Sequence, residues 1–210
     1  MLFLEEYARL LLVLHMVLAA ALVAVSTHLV VWMRGFLLGR FQRVRAVRRF
    51  AWMSASLFAI VVLLGNAIYP VYKVRVRAEY LDQPDAIMRD YRDRLVVARQ
   101  VKERYYRGIG SAGASRDSIA ERAVIAQASH LPHQAAKIAR WFDVKEHWVA
   151  LGMALSIACA VVLLTWNPKK HGRAIASVAF IMAFLAALSV WLGAIIGVVV
   201  SSYRSIGGLG

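Results

Sequence analysis

The chain has few of the features that catalytic or disulfide-bonded soluble proteins lean on. Of its 210 residues one is cysteine and four are proline, and 12 acidic residues face 26 basic ones. The single thiol, Cys159, closes no internal bridge, and the lack of Cys-x-x-Cys-His excludes a covalently attached c-type haem. There is no Gly-x-Ser-x-Gly, no His-Glu-x-x-His and no pair of Asp residues in apolar sequence. These absences argue against an intramembrane protease. The largest gap is in charge. Leu10–Met33, Phe50–Tyr72, Trp148–Trp166 and Ala174–Tyr203 contain no Asp, Glu, Lys or Arg. Proton pumps, ion-coupled transporters and voltage sensors need charge inside their spans, so those classes are disfavoured.

What fills the gaps is apolar. Hydrophobic residues make up 60% of the chain, and the mean hydropathy is +0.58. A helix of roughly 20 apolar residues crosses the hydrocarbon core. An isolated strand cannot, because lipid leaves its backbone polar groups unpaired. The four runs therefore predict an all-α, polytopic membrane protein: a four-transmembrane-helix bundle. Residues 1–73 form one hairpin, 148–210 a second, and 74–147 a helical extramembrane insert between helices 2 and 3. In the insert, Asp82-Gln-Pro-Asp85 opens a charged helical stretch over 85–107, and Gly108–Gly113 breaks it. Ser115 or Asp117 caps a second helix, and Gln134–His147 runs into the third span.

The net charge of +14 would point to nucleic acid in a soluble protein. Here it follows the membrane, and no nucleic-acid partner is expected. Arg34, Arg40, Arg43, Arg45, Arg48 and Arg49 lie between the first two runs, and Lys169, Lys170 and Arg173 between the last two. Short basic loops stay in the cytoplasm. The expected location is a bacterial inner (cytoplasmic) membrane, with the insert and both termini extracytoplasmic. The basic, aromatic-rich insert reads as a solvated helical cap with interfacial aromatics, or else as a surface for lipid head groups or an acidic partner.

Six histidines are the candidates for chemistry. His15 and His147 fall towards the outer face, His28 and His171 towards the inner one. A b-type haem in a bundle takes two imidazoles from facing helices at similar depth. His15 with His147 fits best, and His28 with His171 is a lesser second site. Asp143, one turn before His147, is placed to accept the other ring N–H and fix its tautomer. Arg140 is placed to meet haem propionates. His15 and His28 lie about 140° apart around their helix, so they share no face. His130 and His133 flank Pro132 as a weak surface-metal pair. Met16, Met33, Met53, Met153 and Met182 raise copper, though core packing explains scattered methionines. Gly193-Ala-Ile-Ile-Gly197 is a GxxxG, which predicts close helix packing or room for a flat cofactor. Asn66 and Tyr69-Pro-Val-Tyr72 can line a quinone pocket or anchor the helix end.

Leu14-His15-Met-Val-Leu-Ala-Ala, with His28 further along, resembles the first helix of the CopD-like copper-resistance membrane proteins. The hairpin entered through Lys145-Glu-His147-Trp is similar to small four-helix b-type cytochromes. The resemblance covers the transmembrane scaffold and not the insert. It implies haem or copper handling with His15 as a ligand. The chain departs from cytochrome b561 in having no histidine in its second or fourth run, which speaks against two haems. The expectation is an electron-transfer protein carrying haem b between the quinone pool and an extracytoplasmic redox protein. The alternatives are a cofactor-free structural or assembly subunit that binds other membrane subunits, and a copper-handling membrane protein.

Overall fold

The computed structural model describes residues 5–108 and 128–203. A 3-10 turn, Glu5–Tyr7, leads into α1 (Ala8–Leu37), and α2 (Val44–Val71) follows. A π-helical stretch, Tyr72–Leu81, precedes α3 (Pro84–Gly108). A second 3-10 turn, Ala128–His130, opens α4 (Leu131–Thr165), and α5 (Pro168–Tyr203) closes the described chain. No strand occurs among the described residues. Four helical segments are long and apolar enough to cross a membrane: Glu5–Leu37, Val44–Leu81, Leu131–Thr165 and Arg173–Ser202. The expected second insert helix, begun by Ser115 or Asp117, lies outside the described residues.

The chain divides into two compact units. One takes the residues up to Tyr72 and those from Trp141 onward, and the other takes Lys73–Arg140. In the first, four helices share a core. At one end Met33, Phe36, Val47, Leu163 and Trp166 are buried together with Ala176, Ala179 and Ala183 of α5. Towards the other end Leu22, Phe58, Val61 and Val190 form a second cluster. Alanines along α5 let its backbone approach its neighbours closely. Polar atoms within the bundle mostly find partners. Ser54 and Ser156 hydroxyls lie 3.4 Å apart between α2 and α4. Trp191 Nε1 donates to Thr27 Oγ1 at 3.0 Å between α5 and α1. The Cys159 thiol donates to the Ala179 carbonyl at 3.3 Å, as a small buried group rather than a reactive one. Large apolar residues such as Leu10, Leu63 and Val198 face outward. A helix that is apolar on its outer face as well as its inner one suits lipid.

The ends of the helices are tied by specific backbone chemistry. The α1–α2 turn closes α1 with a Schellman motif. Gly39 takes φ +75°, its N–H donates to Phe36 O at 3.0 Å, and Arg40 N–H donates to Gly35 O at 2.9 Å. Only a residue without Cβ adopts that φ without strain. Arg48 of α2 reaches the end of α4, where Nε donates to Leu163 O at 2.7 Å and Nη2 to Trp166 O at 2.5 Å. A helix end leaves its last carbonyls without intrahelical donors, and a cation there also meets the negative end of the dipole.

In the second unit, ion pairs are local: Arg75–Glu79, Arg77–Asp82 and Arg94–Asp90. Tyr80 donates to Asp90 Oδ2 at 2.7 Å, pinning the π-helical stretch to α3. Asp85 supplies the acidic first turn of α3. Pro132 falls in the first turn of α4, where its missing N–H costs nothing, so α4 continues past it.

Candidate functional site

The functional candidates gather around His15, in the half of α1 away from the basic α1–α2 turn. Its imidazole lies against α2 at Gly65. A Cβ on Gly65 would come within 3.3 Å of His15 Cε1 and 3.9 Å of Nδ1. Nδ1 is buried and has no hydrogen-bond partner. The Val61 carbonyl contributes to the field at the ring but does not meet Nδ1 in hydrogen-bonding geometry.

The charge that acts on His15 comes from Lys145 of α4. Lys145 precedes the third apolar run by one turn, yet its side chain turns into the bundle. The reason is helix phase. Lys145, Val149, Gly152, Ser156 and Cys159 recur at three- and four-residue spacing and form one stripe of α4. That stripe faces α5 where α5 carries its GxxxG. A Cβ on Gly193 would lie 3.1 Å from Val149 Cγ2 and 3.9 Å from Lys145 Cε, and one on Gly197 would lie 3.3 Å from Lys145 Nζ. The two glycines therefore make the bed on which the lysine stem lies. The ammonium also sits 5.2 Å from the centroid of the Phe142 ring, a cation–π contact. Phe142 in turn stacks on Tyr72 at 4.0 Å and on Tyr69 at 6.3 Å. An ammonium and an aromatic shelf thus adjoin one another at one end of the bundle, and the charge of that ammonium reaches the His15 imidazole.

The other candidates are placed differently. His147 is exposed. It lies two residues from Lys145, about 200° around α4, and so faces away from the stripe that meets α5. Its Nδ1 donates to the backbone carbonyl of Asp143 at 2.9 Å, so the main chain and not the Asp143 carboxylate orients the ring. No hydrogen bond or ring contact joins the side chains of His15 and His147 among the described residues. Arg140 is exposed and belongs to the second unit. His28 is exposed near the basic end of α1; the side chain of His171 lies outside the described residues. His130 and His133 are both exposed. Among the described residues no three His, Cys, Asp or Glu side chains cluster as a metal site.

Sequence reasoning missed Lys145, because it stands outside the charge-free run. The available signal was its helical register with Val149 and Gly152, taken together with a GxxxG on the last helix. No family model matches the chain, and no curated protein or solved structure proves similar to it.

Proposed function

We propose that this chain is a quinone-binding subunit of a larger membrane complex, inserted as four spans with its basic turns in the cytoplasm. The membrane is that of a bacterial cytoplasm, and the insert and both termini lie outside it. One observation carries the reading: Lys145, at the edge of the third apolar run, turns its ammonium into the bundle beside the Phe142 ring, and its charge reaches His15. A charged side chain turned in among apolar residues is costly, and a polar partner offsets its desolvation. A quinone head group supplies carbonyl oxygens for the ammonium, a face for Phe142 and Tyr72, and an isoprenoid tail for the lipid. The His15 imidazole would offer an N–H to the second ring oxygen. Lys145 disfavours a metal cation at His15, which counts against copper. Electrons would be handled by a redox-active partner chain.

A haem b reading keeps one supporting observation. His147 donates Nδ1–H to a backbone carbonyl, the arrangement that leaves Nε2 free as a ligand. One preparation separates the two readings. Protein purified in mild detergent is extracted for quinone and, in parallel, recorded as a reduced-minus-oxidised visible spectrum. The expected result is near-stoichiometric quinone in the wild type. Lys145→Met removes a charge-assisted hydrogen bond worth about 1.5–3 kcal/mol, so affinity for a short-chain quinone drops by about 10- to 100-fold. His15→Phe costs less, about fivefold. Quinone-free wild type with a b-type α-band lost in His147→Ala would replace this reading with the haem one.

A further inference from the structure

At the other end of the bundle, His28 of α1 presents a second problem in physical chemistry. It is exposed within an apolar run, and no hydrogen bond or ion pair satisfies it among the described residues. Its ring is fixed by aromatics instead. Trp32, one turn on, meets it edge-on with centroids 4.5 Å apart. Phe50 of α2 lies 5.5 Å from it and 4.7 Å from Trp32. The Arg43 guanidinium sits 5.7 Å from the Trp32 ring centroid. Arg43 too is exposed, with no carboxylate or carbonyl partner among the described residues. The α1–α2 groove therefore holds two unsatisfied donors at two depths, separated by a rigid aromatic step.

We propose that this groove binds one anionic phospholipid, its phosphate on Arg43 and a glycerol ester carbonyl on His28. The vertical order fits. A phospholipid carries its phosphate outermost and its ester carbonyls deeper. His28 lies one helical turn, about 6 Å, deeper than Trp32, over which Arg43 folds. A neutral imidazole has one N–H to give, and an exposed polar group facing hydrocarbon must find an acceptor or bear its desolvation cost. The charge also fits. From Arg34 to Tyr72 there is no Asp or Glu, so no carboxylate of this segment competes with a phosphate. Of the neighbouring cations, Arg48 is spent on the carbonyls of α4, and Arg173 lies against Gly39. Arg43 is positioned by its ring contact and still free to bind. This site is independent of the quinone site at the other end.

The test uses the full chain reconstituted in phosphatidylcholine vesicles containing a minor fraction of phosphatidylglycerol. The protein is re-extracted, and retained lipid is quantified by mass spectrometry. Wild type is expected to retain phosphatidylglycerol about fivefold above its bulk ratio, the factor expected for one basic residue at an anionic head group. Arg43→Gln should return the ratio to bulk; His28→Phe, which removes a contact common to both lipids, should lower the total lipid retained per protein while the ratio stays enriched. Arg45→Gln, an exposed cation outside the groove, is the control and should keep the enrichment. All three sites are exposed, so the variants should elute from gel filtration as the wild type does. Wild-type retention at the bulk ratio would overturn the proposal. So would equal losses in Arg43→Gln and Arg45→Gln, which would mean diffuse attraction to a basic surface rather than a site.

Discussion

Glycines at the α4–α5 interface divide into two kinds, and what stands opposite each decides which. At Gly152 an added Cβ would fall on Ser189 Oγ and within 2.8 Å of Ser189 Cβ and 3.0 Å of Phe58 Cζ. Those atoms are buried and held from both sides, so they have nowhere to go. Gly152→Ala should cost about 1–3 kcal/mol by overpacking, more than the roughly 1 kcal/mol that alanine gains in helix propensity. A lower thermal midpoint in detergent, restored in the Gly152→Ala, Ser189→Gly double variant, is the expected result. An unchanged single variant would mean the helices separate more easily than their contact implies. At Gly197 the opposing atom is the tip of a lysine, which can shift by a few tenths of an ångström. Gly197→Ala should be neutral or stabilising by up to about 1 kcal/mol, while Gly197→Leu should displace Lys145 and weaken quinone binding. This contrast also explains what was legible at this scale. His15 announces itself as a polar residue in apolar sequence. Lys145 stands at the edge of a run, where the sequence does not reveal which way a long side chain turns.

Elements were legible in proportion to their length. Runs free of charge over several turns admit one reading: α1 and α5 contain two of the apolar runs whole, and α2 and α4 contain the other two but for the last residue of each. Their ends were less legible, because ends depend on residues distant in sequence. Arg48 reads as one more cation of a basic turn, yet it donates to carbonyls more than a hundred residues away. The π-helical stretch after α2 has no composition of its own; Pro70 removes an N–H just before it, and the Tyr80–Asp90 bond holds it. The capping role of Arg48 is testable. Arg48→Gln leaves the end carbonyls of α4 short of donors and should cost about 1–3 kcal/mol. Arg48→Lys keeps the charge but cannot span two acceptors with a planar fork, so it should recover only part of that. Hydrogen exchange should speed up at the last turn of α4 in both variants and stay unchanged in α1. Faster exchange throughout the bundle would mean that Arg48 supports the core rather than one helix end.

At the scale of the molecule, the bundle was legible because four long, charge-free apolar runs leave so few solutions. What the apolar runs do not fix is which end faces the cytoplasm; that rests on charge. Six arginines lie in or beside the α1–α2 turn and three cations precede or open α5, whereas the longer 74–147 segment is of a length where charge matters less. Two single-cysteine variants, Arg40→Cys in the turn and Gln100→Cys in α3, occupy exposed positions assigned to opposite sides. Native Cys159 is buried and serves as the internal negative control. A membrane-impermeant maleimide added to intact spheroplasts should label Gln100→Cys and reach Arg40→Cys only after lysis. The reverse pattern would invert the proposed orientation and move the His15–Lys145 site to the cytoplasmic side. The cause can be tested in the same assay. Replacing Arg40, Arg43, Arg45 and Arg49 with Gln removes topogenic charge but spares Arg48, so the α4 end keeps its donors. If short-loop charge sets the orientation, each reporter should then label partly from both sides, as a mixture of two insertions. If orientation persists without those charges, the weight passes to Lys169, Lys170 and Arg173 before the last span, and neutralising those should produce the mixture instead.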